Sequence, residues 1–228
     1  IVGALLIISL VGITKVWINS SFLDKFEKES EITLTDAFVN SKFGGTSTLN
    51  VILESNQPDS FKQPENLLIM DEIQNETEKL PLVGNSFSLA DYLKRMNKVM
   101  NADRDEFYAI PSDDEMVAQY LLLYEMSGDP ENLLKVINYD YNRTNLTFQL
   151  KGDDSKTIDE ALEVIKQYEK RLNERGITLN YAGSGYKALV FSDLILQGQI
   201  KSLLISLLTV LVLLIIMFKS VKAGLIGS

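Results

Sequence analysis

Five places in this chain of 228 residues carry residues whose types and spacing invite chemistry. Asn101, Asp103 and Asp105 stand at alternate positions, like the first oxygen ligands of a calcium loop. Such a loop needs glycine at its sixth position and a bidentate glutamate at its twelfth. Here those positions hold Glu106 and Ser112, so the segment reads as a solvated acidic turn. Asp113-Asp114-Glu115 falls in the first turn of a helix, where carboxylates suit the macrodipole. Asp153-Asp154 falls in a loop, and nothing in the pattern sets a second carboxylate opposite either group for acid–base work. Gly183-Ser184-Gly185 follows a strand and precedes a helix, where a phosphate cradle would sit. The further glycine of a dinucleotide fingerprint is missing, so the triplet reads as a tight turn, as does Gly44-Gly45.

Composition removes other chemistries. The chain has no cysteine and no histidine. That excludes disulfides, thiol catalysis and zinc–thiolate sites, and it removes the commonest general base, metal ligand and pH switch together. With 31 acids against 22 bases, the charge balance argues against nucleic acid and against a polybasic lipid-headgroup patch. No catalytic residue, cofactor or metal ligand is assigned, and the chain is not read as an enzyme.

The elements that would position any site are legible in part. Leu146, Phe148 and Leu150 alternate with polar neighbours, as do Ile177, Leu179 and Tyr181, so both runs read as half-buried strands. Between them Thr157 and Glu160 form a capping box for a helix. Its apolar stripe is Ile158, Ala161, Leu162, Ile165, Tyr168 and Leu172, and Gly176 stops it. An earlier copy has Leu49, Val51 and Leu53 in a strand, Pro64 opening a helix to about Lys79, and a returning strand at 82–87. Two such units predict a split βαβ, ferredoxin-like sheet. Between the copies, at about 88–139, lies a helical insert. It begins with a helix at 88–100. Ser112 and Glu115 cap the next, which ends at Gly128, and Asp129 caps a third, with Pro130 at its first position. The segment VAQYLLLYEM (117–126) is apolar nearly all round. It reads as a helix buried between subdomains or, alternatively, as one that faces lipid or lines a ligand path.

Two apolar runs bracket this material. The run at 200–218 has 19 residues and spans roughly 28 Å, enough for a bilayer core. Within it Ser202, Ser206 and Thr209 share one face, which reads either as a helix–helix contact or as hydroxyls bonding back to their own helix. No breaker except Gly198 separates this span from the preceding helix, so a stiff connection is expected. The run at 1–14 reaches only about 21 Å; it is expected to be a span cut short, with Lys15 and Trp17 as interfacial anchors. A signal peptide is its rival. Lys219 and Lys222 place that end in the cytoplasm and 19–199 outside. Asn19, Asn75, Asn142 and Asn145 each open an N-x-Ser/Thr triplet that outside exposure would permit to be glycosylated. Neither span holds a carboxylate, the usual mark of a proton pathway.

The order of segments KFEKESEI, FGGTSTLNVILES, SFSLADYLKRMNKVMN, YLLLYEMSGD, YAGSGY and SDLILQGQIKSLLISLLTVLVLLIIMFKSVKAGLIGS resembles the first portion of one repeat of an RND-superfamily exporter, of the MMPL-like or hydrophobe-exporter kind. No single motif is diagnostic; the order carries the resemblance, which covers nearly the whole chain. It implies an α+β fold: a ferredoxin-like extracytoplasmic porter domain at 19–199 flanked by spans at 1–18 (truncated) and 200–218, with 219–228 a cytoplasmic turn toward a third span. It implies a multi-pass protein of the cell (inner) membrane, in which two repeats form a proton-driven pump for lipids or other hydrophobic molecules. The relay residues lie on the fourth span of a repeat, beyond Ser228. Implied partners are membrane lipids, the hydrophobic substrate and the remaining transmembrane helices, with a homo-oligomer also open. Alternatives are a two-span receptor with an outer sensor domain, or a non-transporting sterol-sensing or protein-export member of the same superfamily. A candidate substrate path runs along the apolar insert at Phe107, Tyr108, Tyr120, Leu122 and Tyr124, with core packing as the plainer role for them.

Overall fold

The computed structural model describes residues 21, 23–127, 130–152 and 154–227. The chain divides into two units, Ile1–Ala188 and Leu189–Ser228. The expected span at 1–18 lies outside the described residues, as do Asn19, Gly128, Asp129 and Asp153.

The first unit is α+β. Its four strands are β1 (Ser47–Ser55), β2 (Val83–Phe87), β3 (Arg143–Leu150) and β4 (Ile177–Ala182). They form one sheet in the order β2-β3-β1-β4, with every neighbouring pair antiparallel. Strand β1 therefore runs in the same direction as β2 with β3 between them, and β3 in the same direction as β4 with β1 between them. Helix α2 (Pro64–Thr77) connects the first such pair and helix α6 (Ser155–Lys166) lies in the connection of the second.

Alternation along the strands decides which side is core. Leu49 stands opposite Phe148 and Val51 opposite Leu146, and all four are fully buried. Leu67, Met70 and Ile73 of α2 and Ile158, Ala161 and Ile165 of α6 complete this core. Thr144 of β3 lies 3.9 Å from the Met70 sulfur of α2, its hydroxyl donating to the Val136 carbonyl at 2.8 Å. Each fully buried large aliphatic side chain contributes about 1.5–3 kcal/mol relative to exposure. The other sheet face is polar and half-buried: Thr147 donates to Asn50 across the β1–β3 pair at 2.9 Å.

Helix starts differ from the sequence reading in two places. The cap of α6 is Asp154, whose carboxylate accepts the Thr157 N–H (3.1 Å) and hydroxyl (2.6 Å). Thr157 is thus buried inside the first turn, and Glu160 pairs with Lys156 instead of closing a box. A carboxylate three residues before a donor is the stronger cap, because it is charged and faces the positive end of the helix. The stripe to Leu172 is also interrupted at Gln167–Tyr168, leaving α7 (Glu169–Asn173) as a separate turn. In the insert, α3 (Leu89–Met100) has the Ser88–Asp91 capping box. Helix α4 (Asp114–Ser127) is capped by Asp113, which accepts the Glu115 N–H at 3.0 Å, and not by Ser112. A short helix, α5 (Pro130–Leu133), follows.

The sequence reading did not anticipate α1 (Glu31–Phe43), which lies between the start of the described residues and β1 and buries none of its side chains. Its apolar residues Ile32, Leu34, Phe38, Val39 and Phe43 fall on more than one face, so no helical stripe is visible.

The second unit holds most of α8 (Ser184–Phe218) and α9 (Val221–Gly227). Helix α8 is the one described helix long and apolar enough to cross a membrane: it has 35 residues and a mean hydropathy of 2.7 in its most apolar stretch. The expected 200–218 span lies wholly inside it, and Gly198 does not interrupt it. Lys219, in the left-handed region at φ 49°, ends the helix. Helix α9 then folds back: a Cβ on the buried Gly224 would stand 2.4 Å from Ile215 Cγ1 and 3.2 Å from its Cα. Only glycine allows that approach.

Candidate functional site

Helix α1 is fastened along its C-terminal half, and none of its side chains is fully buried. At its C-terminus Gly44 takes φ 90°, outside the range of ordinary side chains. The carbonyl of Gly44 sits where a Cβ of Gly84 would lie, 1.6 Å away. Gly84 falls where the pairing of β2 with β3 shifts register, between Val83 and Ser86, so the irregularity makes room for the incoming chain. Upstream, Asn40 donates to Asp36 at 2.7 Å and accepts the Thr46 N–H at 3.0 Å, while the Thr46 hydroxyl donates to Asp36. These bonds fasten the helix to the entry of β1.

A groove of about 780 Å³ opens beside this helix. Its apolar side chains are Leu23, Ile32, Val39 and Ala188. Its polar ones include Thr35, Thr46 and Ser184, and among the described residues the charged side chains lining it are Glu31 and Asp36. Ile32, Thr35, Asp36 and Val39 follow i, i+3, i+4, i+7 spacing, so one face of α1 forms one wall. The volume falls within the roughly 300–1,000 Å³ of small-molecule sites.

The opposite end of the groove is built by the Gly183-Ser184-Gly185 turn. Ser184 Oγ accepts the Thr48 N–H at 3.0 Å, and the Ser184 N–H donates to Thr48 Oγ1 at 3.2 Å. A Cβ on Gly183 would meet the Thr48 carbonyl at 2.4 Å. The triplet lets α8 start tight against β1, and the Ser184 N–H is engaged with the strand.

The residues read as a substrate path are not gathered in one place. Tyr120 is buried and donates to Asn97 at 3.2 Å. Leu122, about 200° further round the helix, is 55% exposed. Tyr124 packs edge-on to Tyr92 with centroids 5.2 Å apart. Phe107 lies 4.4 Å under the Arg104 guanidinium, and Tyr108 is 5.5 Å from Lys94 Nζ. None of the five lines the groove. Helix α4 also differs from an element buried all round: Val117 and Leu121 face the core, and Leu122, Leu123 and Met126 face outward.

Elsewhere the charged groups are structural. Lys94 of α3 pairs with Asp71 of α2 (2.6 Å) and with Asp91 (3.1 Å), and Gln74 joins Asp91 at 2.8 Å. Burial pulls the Lys94 pKa down, but the Asp71 and Asp91 carboxylates outweigh it and the net shift is upward. Burial raises Tyr181 to about 12. The acidic turn has Lys98 on Asp105 and Arg95 on Asp103 at 3.5 Å. Among the described residues no group of three or more acids could hold a metal ion. Asn75 is exposed, whereas Asn142 and Asn145 are half-buried and hydrogen-bonded, the latter to Thr147 at 3.1 Å. Of the hydroxyl stripe on α8, Thr209 bonds back to the Ile205 carbonyl at 2.8 Å. Ser202 and Ser206 are exposed on the helix surface.

No protein-family model matches this chain, and no curated protein matches it.

Proposed function

We propose that this chain is the substrate-handling porter segment of a proton-driven RND-type membrane transporter that exports lipids or other hydrophobic molecules. The observation that carries the reading is the sheet order. Read from the other edge it is β4-β1-β3-β2, with a helix between β1 and β2 and another between β3 and β4. That is the ferredoxin-like split βαβ arrangement, the porter architecture that the sequence resemblance implies. The same chain carries α8, long and apolar enough to span a bilayer. Its Lys219 and Lys222 favour a cytoplasmic end and an extracytoplasmic sheet unit. Helix α9, packed back on α8 through Gly224, supports a polytopic bundle over a receptor whose second span would continue into a cytoplasmic output helix. The proton relay would belong to a later span.

The reading is tested in cells that express the full-length protein. A hydrophobic fluorescent dye should accumulate less than in cells without it, and a protonophore should abolish the difference. Equal accumulation with and without the protein, at confirmed membrane expression, would overturn the proposal.

A further inference from the structure

We propose that the groove beside α1 binds a single-chain amphiphile with a positively charged head. The inference concerns the groove alone and stands or falls independently of the transport reading.

A helix in a folded protein normally gains its stability by packing an apolar face. Helix α1 buries none of its side chains; the Asp36–Asn40–Thr46 bonds and the Gly44–Gly84 contact keep it in place. The space along its inner face is therefore left open at about 780 Å³, with Ile32, Val39, Leu23 and Ala188 turned to it. Those side chains suit an alkyl chain.

The polar end of the ligand is set by charge. Among the described residues, both charged side chains lining the groove are carboxylates, Glu31 and Asp36. Asp36 already accepts bonds from Asn40 and Thr46, but a carboxylate offers about four lone-pair sites. It keeps acceptor capacity for a third partner, and its two neutral donors fix its direction without neutralising it. A fatty-acid or phosphate head would face two like charges there, whereas an ammonium head would face two opposite ones. The hydroxyl of Thr35 adds a further acceptor along the same wall.

The experiment uses the full chain in zwitterionic-lipid nanodiscs and an alkyltrimethylammonium probe with a diazirine in its chain. After irradiation, labelled peptides are mapped by mass spectrometry. Labelling should saturate with probe concentration and fall on peptides within 31–47. Octyltrimethylammonium should compete about tenfold better than octanoate, as two partly exposed charges of a few-fold each would give. Glu31→Gln, at an exposed position, should weaken competition by the cation but not by octyl glucoside. Val39→Trp, which fills the groove, should remove the saturable labelling. Labelling that rises linearly without saturation, or octanoate competing as well as the cation, would overturn the proposal. Should Val39→Trp fail to fold, Glu31→Gln decides: unchanged cation competition contradicts the assignment.

Discussion

The hydroxyl of Thr46 donates to the carboxylate of Asp36, ten residues earlier, so the entry of β1 holds the middle of α1 in place. Asn40 closes the figure by bonding both. A helix with no fully buried side chain leans on such bonds, since the face that carries Thr33, Asp36, Val39 and Asn40 is only half-buried. Thr46→Val keeps the shape and removes the donor. A single side-chain hydrogen bond is worth about 1 kcal/mol, so amide exchange across 31–43 should quicken by roughly fivefold while exchange in β1 and β3 stays as it was. Unchanged exchange over α1 would show that the helix is held elsewhere.

Gly84→Ala should act on the same helix from its other end. The added methyl would occupy the position of the Gly44 carbonyl oxygen, so either β2 or the end of α1 must move. Overpacking of this kind costs about 1–3 kcal/mol. The melting temperature should fall by roughly 5 °C, and proteolysis should begin between 31 and 46. Gly198→Ala, where an added methyl meets nothing within 4 Å, is the control.

Alkaline pH should weaken the sheet unit through Lys94. Its folded pKa lies above the 10.5 of an unfolded lysine. The pairing with Asp71 and Asp91 therefore contributes fully below about pH 10.5 and is lost as pH rises through the folded value. Tyr181, raised to about 12 by burial, acts with the same sign: its neutral form is favoured in the fold, and that preference costs stability above pH 10. Urea midpoints at pH 8 and pH 11 give the measurement. Lys94→Met should cost about 2 kcal/mol at pH 8, because two partly buried carboxylates lose their partner, and should show a smaller further loss at pH 11 than the parent.

The absence of cysteine makes the α8–α9 hairpin directly testable. A Cβ on Gly224 would lie 3.2 Å from the Ile215 Cα, so the hairpin must open by a few tenths of an ångström to admit a side chain there, and thiols at 215 and 224 are then neighbours across it. The double variant Ile215→Cys, Gly224→Cys should cross-link on mild oxidation in nanodiscs, and Leu208→Cys with Gly224→Cys should not. The reverse pattern would place α9 elsewhere on α8.

Much of the sheet was legible because one face is core and the other polar. Leu49, Val51 and Leu53, and Leu146, Phe148 and Leu150, alternate strictly, and period two has no competing reading at that length. The α+β class was legible from two strand–helix–strand patterns, whereas the strand order rests on pairings far apart in sequence. Caps were less legible, because Asp154 and Thr157 both suit an N-cap and the choice depends on which donor the carboxylate reaches. Helix α1 and the groove were not legible at all. The helix has no periodic stripe, and the groove joins Leu23, residues 31–39, Thr46–Ser47 and Ser184–Ala188, pieces up to about 165 residues apart. The one sequence signal nearby was Gly44-Gly45, read as a turn. Its partner Gly84 stands 40 positions later, and nothing local announces that contact. Tyr120 and Leu122, two residues apart in sequence, face opposite ways on α4, a difference that the all-round apolar composition of 117–126 did not reveal.

The central claim is that this chain handles hydrophobic cargo in a proton-driven pump, and gradient-driven flux tests it most directly. The full-length protein is reconstituted in proteoliposomes, a pH gradient is imposed, and movement of a hydrophobic dye is followed with and without a protonophore. The account predicts dye movement that depends on the gradient and stops when the protonophore is added. Dye movement that is the same with and without the gradient, or no faster than in protein-free liposomes, would contradict it.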